Sequence, residues 1–313
     1  MSTTEHHHKA ASTAAIVLAF GCLYFFWGST YTAIRIGALS MPTLLLAGPR
    51  FLISGLIMLV WCKLRGIRIL HDRRSMGMLL LLSVLLLGTG HIGLVFAERY
   101  IPTGLCSLGF AVMPLYVALM EYFLPGGEPL SARGWLGILL GFTGLAIMLA
   151  PSLHNGLHGD VMVLLALVAL FTAALSWAVG CVVSRRAKLP VNVLVVSAWQ
   201  MIFAGILNTL AATAVGEWKD FHPTMSGLGA VLYLVTFGSL VGYTAFIYLL
   251  EHVPVAKVMS YTYVNPVVAV LLGIFILHER PAPSEFAGMA TIILAVFLMT
   301  SAQVRSNPAK SKA

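Results

Sequence analysis

Ten apolar runs of about 20 residues follow one another along the chain, separated by short polar or proline-containing turns. About 20 apolar residues are what a helix needs to cross a bilayer. The runs are too long and continuous for the alternation of an outer-membrane β-strand. The sequence therefore predicts an all-α integral membrane protein with ten transmembrane helices, at residues 13–35, 42–62, 76–97, 101–123, 133–150, 159–183, 191–214, 227–250, 254–277 and 284–303.

Charged residues are scarce. They make up 10% of the 313 residues, and the mean hydropathy is +0.92, whereas about 25% of the residues in a soluble domain are charged. A soluble fold with so few charges would expose large apolar patches and aggregate. This excludes a soluble enzyme, a nucleic-acid-binding domain and a disordered chain, and it makes the lipid bilayer the expected partner.

The distribution of Lys and Arg predicts the orientation. With the N-terminus inside, 14 of these residues fall in cytoplasmic segments, four fall outside, and Arg50 lies within a span. Cytoplasmic loops of membrane proteins carry such an excess. We therefore expect residues 1–12 and 304–313 to be cytoplasmic tails of a multi-pass protein of the inner (plasma) membrane. The net charge of +8 then needs no nucleic-acid partner.

The second half of the chain repeats the first at a shift of about 150 residues. The matched positions keep their order and include Pro, Trp, Glu and Gly, which makes chance matching of apolar letters a poor explanation. The repeats span residues 13–150 and 159–303, and their matched pairs are Trp27 with Trp177, Arg35 with Arg185, Arg50 with Gln200, Gly55 with Gly205, His91 with Tyr243, Pro114 with Pro266, Glu128 with Glu279 and Gly137 with Gly288.

An odd number of helices per repeat has a topological consequence. Five spans place the second repeat in the membrane upside down relative to the first. Inverted repeats suit alternating access, because the two halves can exchange conformations about a site near the midplane. A receptor or scaffold has less reason to carry such a duplication.

The ordered motifs resemble the drug/metabolite transporter superfamily, in particular its ten-helix members with two EamA domains. The resemblance covers residues 14–303. It implies a bacterial inner-membrane carrier, often an exporter of amino acids or related metabolites. The motifs that carry it are Phe26-Trp27-Gly28-Ser29, Pro49-Arg50-Phe51, Ile101-Pro102-Thr103-Gly104 leading to Pro114, Val253-Pro254-Val255-Ala256 leading to Pro266, Glu279-Arg280 and Gly288.

Aromatic and polar side chains within the spans are candidates for a substrate pathway. Residues four apart share a helix face, and unpaired polar groups are unfavourable in lipid. Helix packing, or an aromatic belt at the membrane interface, is the alternative for the aromatic side chains. The candidates are Trp27, Tyr31, His91, Tyr116, Trp177, Tyr243, Tyr261 and Asn265.

His91 lies deep in the third span. An imidazole that titrates near neutral pH could carry a coupling proton; the alternative is a neutral histidine hydrogen-bonded to a neighbouring helix. Arg50 could contact an anionic substrate group, although snorkelling or pairing with a carboxylate is the favoured interpretation. Pro114 and Pro266 are candidate hinges, because a proline bends a helix; static kinks are the alternative.

The remaining charged and titratable residues have structural interpretations. Glu98, Glu121 and Lys257 lie near span ends, where we expect them to reach interfacial water. Glu128 and Glu279 precede the fifth and tenth helices, where a carboxylate favours the helix N-terminus. The group His154, His158 and Asp160 fits no strong metal motif, so we expect no metal and no cofactor.

These observations predict a secondary active transporter, not an enzyme, that exports small organic metabolites by alternating access. The sparsely charged interior suits neutral, zwitterionic or amphipathic solutes. An exchanger of phosphorylated or sugar-type solutes is the alternative within transport. An integral-membrane enzyme or a non-transporting scaffold is the alternative from another class. The protein is expected to be a monomer or a homodimer.

Overall fold

The computed structural model describes residues 12–125, 132–157, 161–253 and 258–305. The described residues form helices and no strand. We number these α1 to α10. Their bounds are Thr13–Ser40, Thr43–Leu64, Arg73–Ala97, Thr103–Phe123, Ala132–Leu157, Val161–Ala187, Val193–Val215, Met225–His252, Tyr261–Leu277 and Pro283–Arg305.

Seven of these helices, α1 to α4 and α6 to α8, are long and apolar enough to cross a membrane. Shorter apolar stretches occupy Val264–Leu277 in α9 and Phe286–Ala295 in α10. Large apolar side chains such as Leu18, Val60 and Leu210 are exposed on the outside of the bundle, as a protein surrounded by lipid requires. The prediction of an all-helical membrane protein is confirmed, and the count of ten crossings stays a prediction.

The helix bounds differ from the predicted spans at several ends. α1 runs to Ser40, beyond the predicted end at residue 35, because no proline or glycine turn interrupts it before Pro42. α5 continues through Pro151 to Leu157, so this proline does not end the helix. Residues 126–131, 158–160 and 254–257, which include Glu128, His158, Asp160 and Lys257, lie outside the described residues.

Equivalent helices of the two repeats pack against each other. α2 contacts α7, and α5 contacts α10. A Cβ on Gly205 of α7 would lie 2.5 Å from the backbone nitrogen of Leu52, and one on Gly55 of α2 would lie 2.8 Å from that of Ile202. Position 48 of α2 faces position 209 of α7, so the two helices run antiparallel. An inverted repeat predicts this arrangement.

In both repeats an arginine of the first helix donates hydrogen bonds to backbone carbonyls at the end of the third helix. We call this contact the clasp. Arg35 of α1 donates from Nη1 to the carbonyl oxygens of Glu98 and Ile101, just beyond the end of α3. Arg185 of α6 donates from Nη1 to the carbonyl oxygen of Leu250 in α8, at 3.0 Å. These carbonyls lie in the last turns of helices, where backbone oxygens lack partners within the helix. Each arginine therefore ties the first helix of its repeat to the end of the third.

Candidate functional site

A small cavity of about 50 Å³ lies where the two repeats meet. The first repeat contributes α1 to α4, and the second contributes α6, α8 and α9. The lining residues are Trp27, Thr30, Tyr31, Ile34, Arg50, Phe51, Leu87, His91, Leu94, Phe110, Trp177, Gly238, Tyr243, Tyr261 and Asn265.

The structure brings together most of the predicted pathway residues. Seven of the eight line this cavity. Tyr116 does not, because it packs beside Val117, Ala178 and Val182 in a separate apolar cluster. Tyr116 therefore does not line the cavity, although it follows Pro114 by only two residues. Whether the seven lining residues contact a solute stays a prediction.

The two repeat-related tryptophans meet in the cavity wall. The rings of Trp27 and Trp177 are 5.7 Å apart in an edge-to-face arrangement, a favoured geometry for aromatic pairs. Each ring packs on a glycine of the other repeat. Trp177 lies against Gly90 of α3, and Trp27 lies against Gly242 of α8, where a Cβ would collide with the ring.

Wide π-helical turns contain the glycines of both contacts. They span Val84–Gly90 in α3 and Leu234–Tyr243 in α8. Such turns occur often at functional sites. His91 follows the first π turn and Tyr243 ends the second, and both residues line the cavity. The carbonyl oxygen of Gly238, within the second π turn, accepts a hydrogen bond from Trp27 Nε1 at 3.0 Å.

Arg50 is buried in the cavity wall with neutral partners. Its side chain is 4% exposed. Its Nε donates to Ser239 Oγ at 3.2 Å, and its Nη1 lies 3.0 Å from His91 Nε2. Among the described residues the one ion pair is Arg186 with Glu121, and neither of these residues lines the cavity. The favoured interpretation of Arg50, snorkelling or pairing with a carboxylate, is therefore wrong, because the side chain reaches neither water nor an acid.

The Arg50 contact fixes the state of the His91 ring. A guanidinium is only a donor, so Nε2 of His91 must accept, which requires a neutral ring with its proton on Nδ1. Protonating His91 here would place two cations in contact. The alternative of a neutral histidine bonded to a neighbouring helix matches this geometry, and proton transfer by His91 stays a prediction.

The second repeat builds a neutral counterpart of this pair. Gln200 and Tyr243 occupy the positions that Arg50 and His91 occupy in the first repeat. The Tyr243 hydroxyl donates to Gln200 Oε1, so α7 and α8 are joined at the same depth as α2 and α3. The sequence alignment of the repeats already contained this pairing, but it gave no contact between the matched residues.

Two buried donors at the cavity make no well-formed hydrogen bond among the described residues, although they lie close enough to each other to interact. They are Trp177 Nε1 and the Tyr261 hydroxyl, on side chains that are 6% and 3% exposed. Leaving a buried donor unsatisfied is unfavourable, so these groups are available to a bound molecule. Asn265 is already engaged, because its amide donates to the carbonyl oxygens of Tyr24 and Tyr261 at 3.3 and 3.2 Å.

The two candidate hinges are not placed alike. Pro114 is the second residue of the segment Met113–Phe123, after a break at Ala111 and Val112. Pro266 lies inside α9, the sixth residue of that helix. Pro114 therefore begins a helical segment, whereas Pro266 lies within one. A gating role for either proline stays a prediction.

Comparisons with known proteins agree with the two-repeat architecture. The model of the EamA-like transporter family matches residues 13–150 and again 164–301. The chain belongs to the EamA-like transporter family. A relative in Escherichia coli (strain K12), the inner membrane transporter YedA, is 35% identical over 284 residues, covering 90% of this chain and 89% of YedA.

The chain is also similar to transporters of other bacteria at lower sequence identity. The transporter YvbV of Bacillus subtilis is 27% identical, with 92% of this chain and 91% of YvbV covered. A solved crystal structure shares the fold with a TM-score of 0.68 at 20% identity, over 95% of this chain and all of that chain. The resemblance inferred from the motifs is confirmed.

No group of metal-ligating side chains occurs in the part of the chain that the structure describes. The four cysteines are free. The residues that sequence reasoning missed are Ser239, which bonds Arg50, and the cavity-lining Thr30, Phe51 and Phe110. Their side chains are common in any membrane span, so nothing in the sequence distinguishes them.

Proposed function

We propose that this member of the EamA-like family is a secondary active transporter of the bacterial inner membrane that exports small organic metabolites by alternating access. The observation that carries the proposal is the cavity between the repeats, with the buried Arg50 in its wall. Antiparallel packing of the equivalent helices α2 and α7 supports inverted repeats, and repeats of this kind exchange conformations about a central site.

A wide recess at one end of the molecule supports an inward-open conformation. The recess, of about 1120 Å³, lies at the end that holds the N-terminal part of α1 and the segment with Arg68 and His71. Hydrogen bonds join separate helices at both ends, and at the end opposite the recess they bring α1–α2, α3 and the segment after α7 together. Arg99 Nη1 donates to the Met41 carbonyl at 3.2 Å, and Glu217 accepts from the backbone nitrogens of Leu44 and Leu45. In the proposed topology, with ten spans and both termini cytoplasmic, the open end faces the cytoplasm.

The cavity wall favours a particular class of solute. Aromatic rings of Trp27, Trp177 and Phe110 offer apolar and stacking surfaces, and the guanidinium of Arg50 offers hydrogen bonds to one anionic group. A small organic molecule with an apolar or aromatic body and one carboxylate fits both. Amino acids and related metabolites belong to this class.

Phosphorylated solutes fit less well. They carry more charge, and carriers for them need several cationic side chains. Among the lining residues Arg50 is the one side chain with a permanent charge. We therefore place exchange of phosphorylated or sugar-type solutes second.

Flux into and out of proteoliposomes tests the proposal. Vesicles loaded with a radiolabelled amino acid should lose it faster with the protein than without, and a pH gradient should drive the loss. Replacing Trp177 with alanine removes one cavity wall and should reduce the flux. The control is Trp61→Ala, because Trp61 is half exposed on the outside of α2. Equal leakage from empty and protein-containing vesicles for all solutes tried would contradict the proposal.

A further inference from the structure

Glu98, immediately after α3, is a buried acid. Its side chain is 0% exposed, and neither carboxylate oxygen has a hydrogen bond of good geometry among the residues described. The neighbouring Thr103 hydroxyl donates to Glu279 instead, at 2.8 Å. The expectation that it reaches interfacial water is wrong. An ionised carboxylate that is buried without partners is highly unfavourable, so such a group takes up a proton instead.

The groups that face Glu98 come from three elements. Arg35 and Tyr31 lie on α1, Cys106 lies on α4, and Glu279 precedes α10. Arg35 directs its Nη1 hydrogen bonds to the backbone carbonyls of Glu98 and Ile101 and not to the carboxylate. The nearest charged neighbour in sequence, Arg99, donates to the carbonyl oxygen of Met41.

Glu279 is the satisfied acid of this cluster. Its Oε1 accepts hydrogen bonds from the backbone nitrogen and the hydroxyl of Thr103, at 2.9 and 2.8 Å. Glu279 therefore caps the N-terminus of α4. The expectation that its carboxylate stabilises the N-terminus of α10 is wrong. Because Glu98 is buried beside this second acid, the ionised form of the Glu98 carboxyl is disfavoured further.

Burial raises the pKa of the Glu98 carboxyl well above its ordinary value. The nearby Glu279 adds to this, while Arg35 and the Thr103 side chain oppose it. A carboxyl with a raised pKa holds its proton up to a higher pH than an exposed carboxyl does. If the same carboxyl becomes exposed to water, its pKa returns towards the ordinary value and the proton leaves. Opening and closing this end of the molecule would therefore let the Glu98 carboxyl release and bind a proton.

The second repeat shows that the fold does not need an acid here. Leu250 occupies the position of Glu98, and Arg185 still donates to its carbonyl oxygen at 3.0 Å. The clasp between the first and third helices of a repeat thus uses backbone only. The carboxyl of Glu98 is an addition in the first repeat that the clasp does not explain.

Tyr31 connects this cluster to the cavity. It is one of the lining residues, and it is close enough to Glu98 to interact with it electrostatically. The acid therefore lies between the cavity and the end of the molecule opposite the recess.

We propose that Glu98 is the proton-binding site that couples solute movement to the proton gradient. The carboxylate binds one proton from the outer side when that end is open, retains it while buried, and releases it through the cavity past Tyr31. The step forms and breaks one O–H bond. The proposal rests on the proposed transport function and adds the coupling ion and its site.

Infrared difference spectroscopy tests the bound proton without any solute. The protein is reconstituted in lipid vesicles at neutral pH, and the spectrum of E98Q is subtracted from that of the wild type. The difference should show the C=O stretch of a protonated carboxyl, which the wild type minus E279Q difference should lack. Absence of the band from the E98Q difference would overturn the proposal.

Flux measurements then test the coupling. E98Q and E98L should lose at least about ten-fold of the pH-driven flux, because neither side chain exchanges a proton, and both should retain solute counterflow. E98L copies the residue of the second repeat, so it should fold. E251Q removes an exposed acid at the end of α8, so it serves as the matched control and should keep its pH response. H91Q tests the rival site in the cavity.

The outcomes separate the two proposals. Loss of the pH response in H91Q with retention in E98Q would overturn the role of Glu98 and leave the transport function standing. A wild type that moves solute without any pH response would do the same. A wild type that moves no solute would overturn the transport function, and the coupling with it, even if the infrared band is present.

Discussion

The guanidinium Nη1 of Arg50 lies 3.0 Å from Nε2 of His91, and the residues at the same positions of the second repeat, Gln200 and Tyr243, are also hydrogen-bonded to each other. The duplication has therefore preserved a contact between the second and third helices of each repeat. Only the first repeat carries a positive charge at this contact. An anionic group bound in the cavity would be held asymmetrically, by the first repeat.

Removing the charge of Arg50 should weaken the binding of carboxylates. We expect the wild type to bind 3-phenylpropionate more tightly than the neutral 3-phenylpropanamide. Arg50→Gln should reduce the affinity for the acid by about 10- to 100-fold, because a hydrogen bond to a charged group contributes about 1.5–3 kcal/mol. Titration calorimetry in detergent measures both probes. The control is Arg65→Gln, since Arg65 is exposed and lies over Trp61. Equal affinity of the wild type for both probes would exclude a role for Arg50 in anion recognition.

His91 should be needed as a hydrogen-bond acceptor for Arg50. His91→Leu removes the acceptor and should destabilise the fold by about 1–3 kcal/mol, the usual effect of leaving a buried polar group unsatisfied. His91→Gln retains an acceptor oxygen and should lose less. The apparent melting temperature in detergent compares the two variants. A leucine variant as stable as the glutamine variant would show that the contact contributes nothing to stability.

The crossing of α2 and α7 should tolerate no side chain at Gly205. A Cβ there would lie 2.5 Å from the backbone nitrogen of Leu52. Because backbone cannot move aside cheaply, Gly205→Ala should destabilise the fold by about 1–3 kcal/mol. Gly77→Ala is the matched control, since nothing lies within 4 Å of that position in α3 and alanine favours a helix by about 1 kcal/mol over glycine. Thermal unfolding should therefore shift in opposite directions, and equal shifts would contradict the close packing.

The proposed orientation predicts which side of the membrane each loop faces. In a variant with all four cysteines replaced, Arg65→Cys should react with an impermeant maleimide only from the cytoplasmic side. Lys219→Cys should react only from outside. Both positions are exposed, so access depends on the membrane alone. Labelling of both from the same side would rule out the ten-span topology.

The hinge hypothesis predicts opposite effects for the two prolines. If the repeats alternate, Pro114→Ala and Pro266→Ala should shift the balance between inward-open and outward-open forms in opposite directions, each by no more than a few kcal/mol. Distances between spin labels at the two rims, measured in lipid, report the balance. Shifts of the same sign, or none in folded protein, would leave both prolines as static features.

The sequence located most of the helices because the signal for them is local. A run of about 20 apolar residues ends at a polar or proline turn wherever it occurs, and the duplication doubles the evidence. The helix ends were less predictable. α5 continues past Pro151 to Leu157, since a proline disturbs a helix without always ending it.

By itself, then, the sequence determined the helical membrane fold, the family, the repeat alignment and seven of the residues that line the cavity. The tertiary structure alone decided the partners of Arg50, the position of Tyr116 outside the cavity, and the burial of Glu98 beside Glu279. The physical reason is that helices that are apolar on every side give no sign of which face is inward. A side chain's neighbours depend on how helices distant in sequence cross, and here those crossings bring α3 against α6 and the N-terminus of α4 against Glu279.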